Sequence, residues 1–385
     1  MNRRGTFQQV LAKLLAIRTQ RTLLVILLAG LLVAGLLPFN FLPHNQVAWL
    51  TGTRGVRFQG YGEVVGGSPF GSSDRSGPNE PRPETTVELW ATSWDPSVYV
   101  KDIVSIYVTR DQEPFAVEQW GPRLLVGGWF RDREGNRRFQ RIGINGVFAK
   151  GVPRFVTVTS GPDGTNIFLE GVLQDSSPGL VLEPKNFYGS LLLGQTATGR
   201  QEWHGDVLGV ALYKKELTPE EVAKDYADWQ RGDLQELHAR TSAAAVYPLN
   251  EGRGSIVRNL VNQADSLTIP DRLRAVEPLV LATPSRQDLA NASDVTLNIV
   301  GFIPFGGLLV IYARSSDVGS NLKAIITAVL AGFLVSLVIE LLQVFLPTRD
   351  SSMLDLINNT VGSGIGAGIG AAMWPRLKRI RASAI

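Results

Sequence analysis

Six polar side chains sit in stretches of chain that are otherwise apolar. Asp294, Asn298, Glu340, Gln343, Asp355 and Asn359 lie within or at the ends of segments built from Leu, Ile, Val, Gly and Phe. An ionisable group inside a membrane span is costly and by default marks a site or an internal tie. Asp294-Val-Thr-Leu-Asn298 and Asp355-Leu-Ile-Asn-Asn359 share one spacing, which puts carboxylate and amide on a single helix face. Glu340 and Gln343 also share a face, with Ser336 one turn behind. A carboxylate in apolar surroundings, Glu340 or Asp355, can serve as a base or proton carrier, and Arg349 can hold a phosphate or carboxylate. The plainer alternative is a polar lock. In it Asp294 and Asp355 cap helix starts, Arg349 neutralises Asp355 or Glu340, and the amides tie helices together.

These residues need membrane helices to position them. Apolar runs at Leu23–Leu37, Leu297–Ala313, Ala324–Leu346 and Leu356–Trp374 each approach the roughly 20 residues that cross a bilayer. Gly301, Pro304, Gly306 and Gly307 predict a kinked or partly re-entrant second span. Asp355, Asn359, Gly362, Gly366 and Gly370 run along one side of the fourth, a small-residue face that permits close helix approach. The first run resembles a signal peptide, but the flank Pro38-Phe-Asn-Phe-Leu-Pro43 has no small-x-small cleavage site, so it is read as a retained anchor. Basic residues precede the first span, flank the second-to-third loop at Arg314 and Lys323, and follow the fourth at Arg376, Lys378, Arg379 and Arg381. That bias places both termini in the cytoplasm and residues 42–292 outside it. The polar set then gathers at the outer leaflet. Apolar residues at helical spacing from Phe7 to Ile17 suit either a surface-lying helix or a plain cytoplasmic extension.

Composition agrees with a partly embedded chain: of 385 residues only 19% are charged, and net charge is +3. The basic residues form no stripe, so nucleic acid is not an expected partner. The absence of cysteine excludes disulfides, thiolate catalysis and cysteine-bound zinc, and three dispersed histidines argue against a histidine metal site. No cofactor is expected.

Between Arg54 and Trp229 short strands alternate with turns, as in Val56–Gly60, Val87–Ala91, Ile103–Val108, Phe155–Thr159 and Thr165–Leu169. Gly161-Pro-Asp-Gly164 is a hairpin signal, and Gly66 to Pro83 reads as a surface loop. The series Phe155-Val-Thr-Val-Thr, Ile167-Phe-Leu-Glu-Gly171, Leu191-Leu-Leu-Gly194, Trp203-His-Gly-Asp-Val-Leu208 and Leu217-Thr-Pro-Glu-Glu-Val222 resembles the laminin-G or concanavalin A-like jelly roll. The resemblance implies consecutive strands, a closing short helix, and binding of glycans or proteins. Glycosidases on that fold carry Glu-x-Asp-x-x-Glu on one strand. This chain lacks it, so the acid pair that sugar hydrolysis requires is missing. Trp120, Trp129 and Trp203 are candidate sugar-stacking residues, with burial in the core as the alternative.

A second resemblance rests on the polar set itself. Asp294-x3-Asn298-x3-Phe302-x-Pro304-Phe-Gly306, Glu340-x2-Gln343, and Arg349-x5-Asp355-x3-Asn359-x2-Gly362-x3-Gly366 resemble the VanZ-like family, and Leu37-Pro-Phe-Asn-Phe resembles its opening helix. The family's namesake is linked to teicoplanin resistance, so the resemblance implies a cell-envelope role and assigns no catalytic residue.

The expected architecture is therefore multi-domain, a four-helix transmembrane bundle plus an extracytoplasmic all-β jelly-roll sandwich. Its parts are a cytoplasmic N-terminus (1–21), a first transmembrane helix (22–41), the sandwich (54–230), a segment returning to the membrane (231–292), helices 2–4 (293–375) and a basic cytoplasmic tail (376–385). Residues 247–270 can alternatively supply a last strand. The expected function is a non-enzymatic protein of the bacterial cytoplasmic membrane whose external domain binds an envelope glycan or protein, with lipid at its polar outer-leaflet site. The alternative is a membrane enzyme or transporter acting on a lipid-linked glycan precursor. Four helices are few for transport, which makes a homo-oligomer part of that alternative.

Overall fold

The computed structural model describes residues 16–70, 84–95, 97–107, 115–132, 135–182, 184–199, 201–234, 237, 243–284, 292–317 and 319–383. The helical spacing before Ile17 and most of the Gly66–Pro83 loop fall outside them. The chain divides into two units, Met1–Phe41 with Leu279–Ile385, and Leu42–Pro278. Five α-helices occur among the described residues: α1 (Ile17–Leu36), α2 (Pro219–Arg231), α3 (Ala292–Ser315), α4 (Asn321–Gln343) and α5 (Met353–Ser383).

The unit Leu42–Pro278 is a sandwich of two antiparallel sheets. One sheet orders its strands Val47–Trp49, Val56–Gly60, Trp203–Tyr213, Thr85–Ser93, Pro153–Gly161, Gly164–Leu169 and Val172–Pro178, with Ala243–Tyr247 also paired to Trp203–Tyr213. The other centres on Arg123–Arg131, Phe115–Trp120, Lys101–Tyr107, Ser190–Leu193 and Val64–Gly66. Alternate residues of both sheets, among them Phe58, Val87, Leu89, Ile106, Phe115 and Leu191, interleave in one core. Gly161 faces Gly164 across the Pro162-Asp163 turn, the hairpin the sequence predicts. The stretch expected to return to the membrane is largely sandwich instead. Ala243–Tyr247 joins the first sheet, and Leu267–Thr268 pairs with Val64–Gly66 in the second. Tyr247, Leu249, Val257 and Leu267 are buried there, so leaving them as a linker would expose core side chains.

Strand Thr85–Ser93 is buried on nearly every residue, because α2 covers one end of its outer face. Local sequence fixes that helix at both ends. Thr218 and Glu221 form a reciprocal capping box, Pro219 occupies the first turn, and Gly232 closes it in the left-handed conformation (φ 79°). Beneath α2 the fully buried Glu88 accepts hydrogen bonds from Tyr213 Oη (2.8 Å) and Trp229 Nε1 (2.9 Å). Burial, with the nearby Asp225 carboxylate, pushes Glu88 up to about 8.

The chain enters and leaves the sandwich side by side. Asn45 N donates to Asp271 O, Leu273 N to Pro43 O, and Asn45 Nδ2 to both Glu63 O and Pro270 O. Buried Glu63 completes this clasp by accepting from Arg274 N (2.9 Å), and burial raises it to about 7.

In the other unit, α1, α3 and α4 are long and apolar enough to cross a membrane. The fourth expected span, within α5, is not among them, because Asn358, Asn359 and a run of glycines lower its apolarity. The second expected span is one helix, α3, that continues through Pro304. Its neighbour explains Gly306 and Gly307. A Cβ at Gly306 would collide with the Ser363 backbone. Those at Gly362, Gly366 and Gly370 would collide with the carbonyls of Ile299, Ile303 and Gly307. The backbones of α3 and α5 thus touch along the face the small-residue spacing predicts.

Candidate functional site

That backbone contact carries α3's polar first turns up to those of α5. Asn298 Nδ2 donates to Asp355 Oδ1 (2.7 Å). One turn further along α5, Asn359 Nδ2 donates to Ser336 Oγ on α4 (2.9 Å). Gly332 of α4 lies against the Ser363 side chain, so the α4–α5 approach is also set by a small residue.

The start of α5 is capped by Ser352, whose Oγ accepts from Leu354 N (3.1 Å) and Asp355 N (3.4 Å). Asp355, expected as a possible cap, instead stands at the third helical position. In a capping box that acid would reach back to the N–H of Ser352. Here Glu340 of α4 takes that N–H (2.7 Å), and Asp355 accepts from Asn298. Glu340 is 1% exposed. It therefore acts as a tie that sets where α5 begins.

Gln343 and Arg349 satisfy the carbonyls left open at the end of α1. Gln343 Nε2 donates to Gly35 O (2.8 Å), and Arg349 Nε donates to Leu37 O (3.0 Å). The expected neutralisation of Glu340 by Arg349 does not occur, because Glu340 is occupied by Ser352 and the guanidinium is turned to α1. Gln343 Oε1 is buried with no hydrogen-bond partner among the described residues. Loop residues close the arrangement, with Ala282 N donating to Ser351 O (2.8 Å) and Met353 N to Ala282 O (3.1 Å).

These groups surround a cavity of about 510 Å³ lined by Asp294, Asn298, Gln343, Arg349, Asp350 and Asp355, with Thr348 and Ser352 at its loop side. Its lining holds three aspartates and one arginine. Such a set can receive an amine or a hydroxyl-rich head. The structure thus divides the residues the sequence singles out. Asp294, Asn298, Gln343, Arg349 and Asp355 line the cavity, whereas Glu340 and Asn359 are inter-helix ties outside its lining. Thr348, Asp350 and Ser352 were not anticipated. Only Ser352 carried a signal, the Ser-x-x-Asp spacing of a helix start.

The tryptophans named as sugar-stacking candidates sit in the sandwich unit. Trp203 is 1% exposed, packs on Phe58 and donates to Gln119 Oε1 (2.9 Å), so it is core and cannot stack on a sugar. A Cβ at Gly205 would collide with the Trp203 ring, so the indole is packed where only glycine fits beside it. Trp129 is half-buried, edge-on to Phe139. Trp120 is 47% exposed, its indole donating to Val98 O. Among the described residues no group of His, Cys, Asp and Glu could hold a metal ion.

Comparison with known proteins gives two family matches in the one chain. The VanZ/LLP1 family matches residues 238–374, and the Concanavalin A-like lectin/glucanases superfamily matches residues 75–223. No curated protein matches the chain. Solved structures similar to it include the binding domain of botulinum neurotoxin DC in complex with rat synaptotagmin II (13% identity, TM-score 0.36, 48% of this chain and 45% of that one). Another is the botulinum neurotoxin serotype D ligand binding domain in complex with N-acetylneuraminic acid (14% identity, TM-score 0.32, 48% and 44%). The chain spans less than half the length of these structures.

Proposed function

We propose that this is a non-enzymatic cell-envelope protein of a bacterial cytoplasmic membrane. Residues 42–278 lie outside and bind a glycan or protein of the envelope. Helices α1, α3, α4 and α5 all span the bilayer and present the polar cavity to a lipid headgroup at the outer leaflet. The observation that carries this reading is the end-to-end asymmetry of the helical unit. The C-terminus of α4 and the N-termini of α3 and α5 bear cavity residues, and two of these, Gln343 and Arg349, bind the carbonyls at the C-terminal end of α1. The opposite ends of the same helices bear Arg18, Arg21, Arg314, Lys323, Arg376, Lys378, Arg379 and Arg381. The basic ends belong in the cytoplasm, and the inserted unit leaves from the cavity ends.

The test is binding of the full-length protein, in detergent or nanodiscs, to immobilised peptidoglycan, to neutral and acidic polysaccharides, and to purified envelope proteins. Saturable binding to a member of one class supports the proposal, and failure to bind any of them contradicts it. A second reading, an enzyme or transporter for a lipid-linked glycan precursor, draws support from Asp355 and Arg349 lining one cavity. If Glu340→Gln and Asp355→Asn both leave an envelope phenotype intact at normal protein levels, that reading fails.

A further inference from the structure

The outer face of the first sheet is only half covered. Helix α2 lies over one end, with Trp229, Phe155 and Tyr213 in its apolar seam. Arg54 closes the border, its guanidinium 4.9 Å from the Trp90 ring and donating to Trp229 O. Beyond that border the face is open, and strand register sets its floor. Ala48 pairs with Arg57, Arg57 with Asp206, Asp206 with Thr92, and Thr92 with Pro153, one cross-strand row over five strands. All of these line a cavity of about 520 Å³, together with Gln59, Trp94 and Gly151.

The polar groups on this floor are fixed. Asp206, nearly buried, holds Arg57 by two parallel bonds of 2.7 and 2.9 Å. The guanidinium also lies 5.0 Å from the Trp94 ring centroid. Arg57 Nη1 has no protein partner among the described residues, so donors remain for a ligand. Thr92 is 3% exposed, and its hydroxyl makes no hydrogen bond among them. Trp94 is 37% exposed and walls the cavity beside Gly151, a glycine at φ 74° whose Cβ would press on the indole.

We infer that this cleft is a saccharide-binding site for a neutral sugar of about one or two rings, given that cavities of roughly 300–1,000 Å³ hold small ligands. The inference rests on the proposed reading of residues 42–278 as an external binding domain, and it fixes the site and the ligand class. Sugar rings have an apolar face suited to an indole and hydroxyls that both donate and accept. The cleft offers that combination: Trp94 for the ring, Arg57 and Gln59 as donors, Asp206 and Thr92 as acceptors. Charge decides against an anionic ligand, because the Arg57 cation is already matched by Asp206.

The test uses the full-length protein in nanodiscs, titrated with chitotetraose, maltotetraose and a neutral β-1,3-linked tetrasaccharide, and separately with hyaluronan fragments. At least one neutral probe should bind, with Trp94→Ala weakening it about tenfold or more. Thr92→Val, which keeps the volume, should weaken it about threefold to tenfold. Trp120→Ala should leave binding unchanged, and unchanged thermal unfolding of each variant should show an intact sandwich. If a neutral probe binds but Trp94→Ala and Thr92→Val leave its affinity alone, the site is wrong while the binding-domain reading stands. The same holds if only hyaluronan or an envelope protein binds. If none of these probes binds, the site is wrong, and the binding-domain reading falls with it when the peptidoglycan and envelope-protein screen is also negative.

Discussion

Fully buried Glu88 and half-buried Asn298 show two ways a polar residue shapes this protein. Glu88 takes up its proton more readily in the folded chain than its ordinary value of 4.5 allows, because charging it under α2 is unfavourable. The folded state therefore binds more protons than the unfolded one between 4.5 and about 8. Its contribution to stability is complete below that window and is lost as pH rises through it. Glu63, raised to about 7, acts in the same direction. The apparent melting temperature of the sandwich should fall as pH is raised across the window. Glu88→Gln should reduce that slope, and an unchanged slope would refute the assignment. Asn298 is a test of the helical unit. Asn298→Ala removes the bond to Asp355 and should destabilise the unit by about 0.6–1.7 kcal/mol in a reversible unfolding assay in detergent or bicelles.

Elements with strong local signals were readable from sequence, and those defined by partners were not. Thr218-Pro-Glu-Glu221 announces α2, and Thr218→Ala should lower sandwich stability by about 1 kcal/mol in thermal or denaturant unfolding. The glycine face of α5 was equally legible, since small residues at every fourth position permit close helix approach. Gly366→Ala should destabilise the α3–α5 pair by about 1–3 kcal/mol, because its new Cβ meets the Ile303 carbonyl. Gly368→Ala is the control. Nothing lies near that position, so it should be neutral or stabilising in the same assay. In α3, Pro304 and three glycines look like breakers in isolation, yet the helix runs through them. Gly306 and Gly307 answer to the α5 backbone, which a single helix's sequence does not display. Strand Leu267–Thr268 was hidden for a similar reason: two residues carry no period, and only pairing with Val64–Gly66 defines it.

At the scale of the whole molecule, sequence spacing picked out most of the cavity lining but not the division of labour within it. Periodicity assigns faces, so Asp294, Asn298, Gln343 and Asp355 could be grouped. It could not tell that Glu340 would be taken by the Ser352 amide, or that Arg349 would turn to the end of α1. Trp203 failed as a candidate on the same ground, since an inward strand position and an outward one look alike until register is known. The central claim is that the cavity ends of the helices face outward and the basic ends inward. The chain has no cysteine, so single cysteines report orientation without background. The most direct measurement is labelling of Thr348→Cys, at the cavity rim, and Ala382→Cys, near the end of α5, with a membrane-impermeant maleimide. In intact cells or spheroplasts Thr348→Cys should label, and Ala382→Cys should label only after permeabilisation. Labelling of Ala382→Cys from outside, or protection of Thr348→Cys until the membrane is opened, would contradict the account.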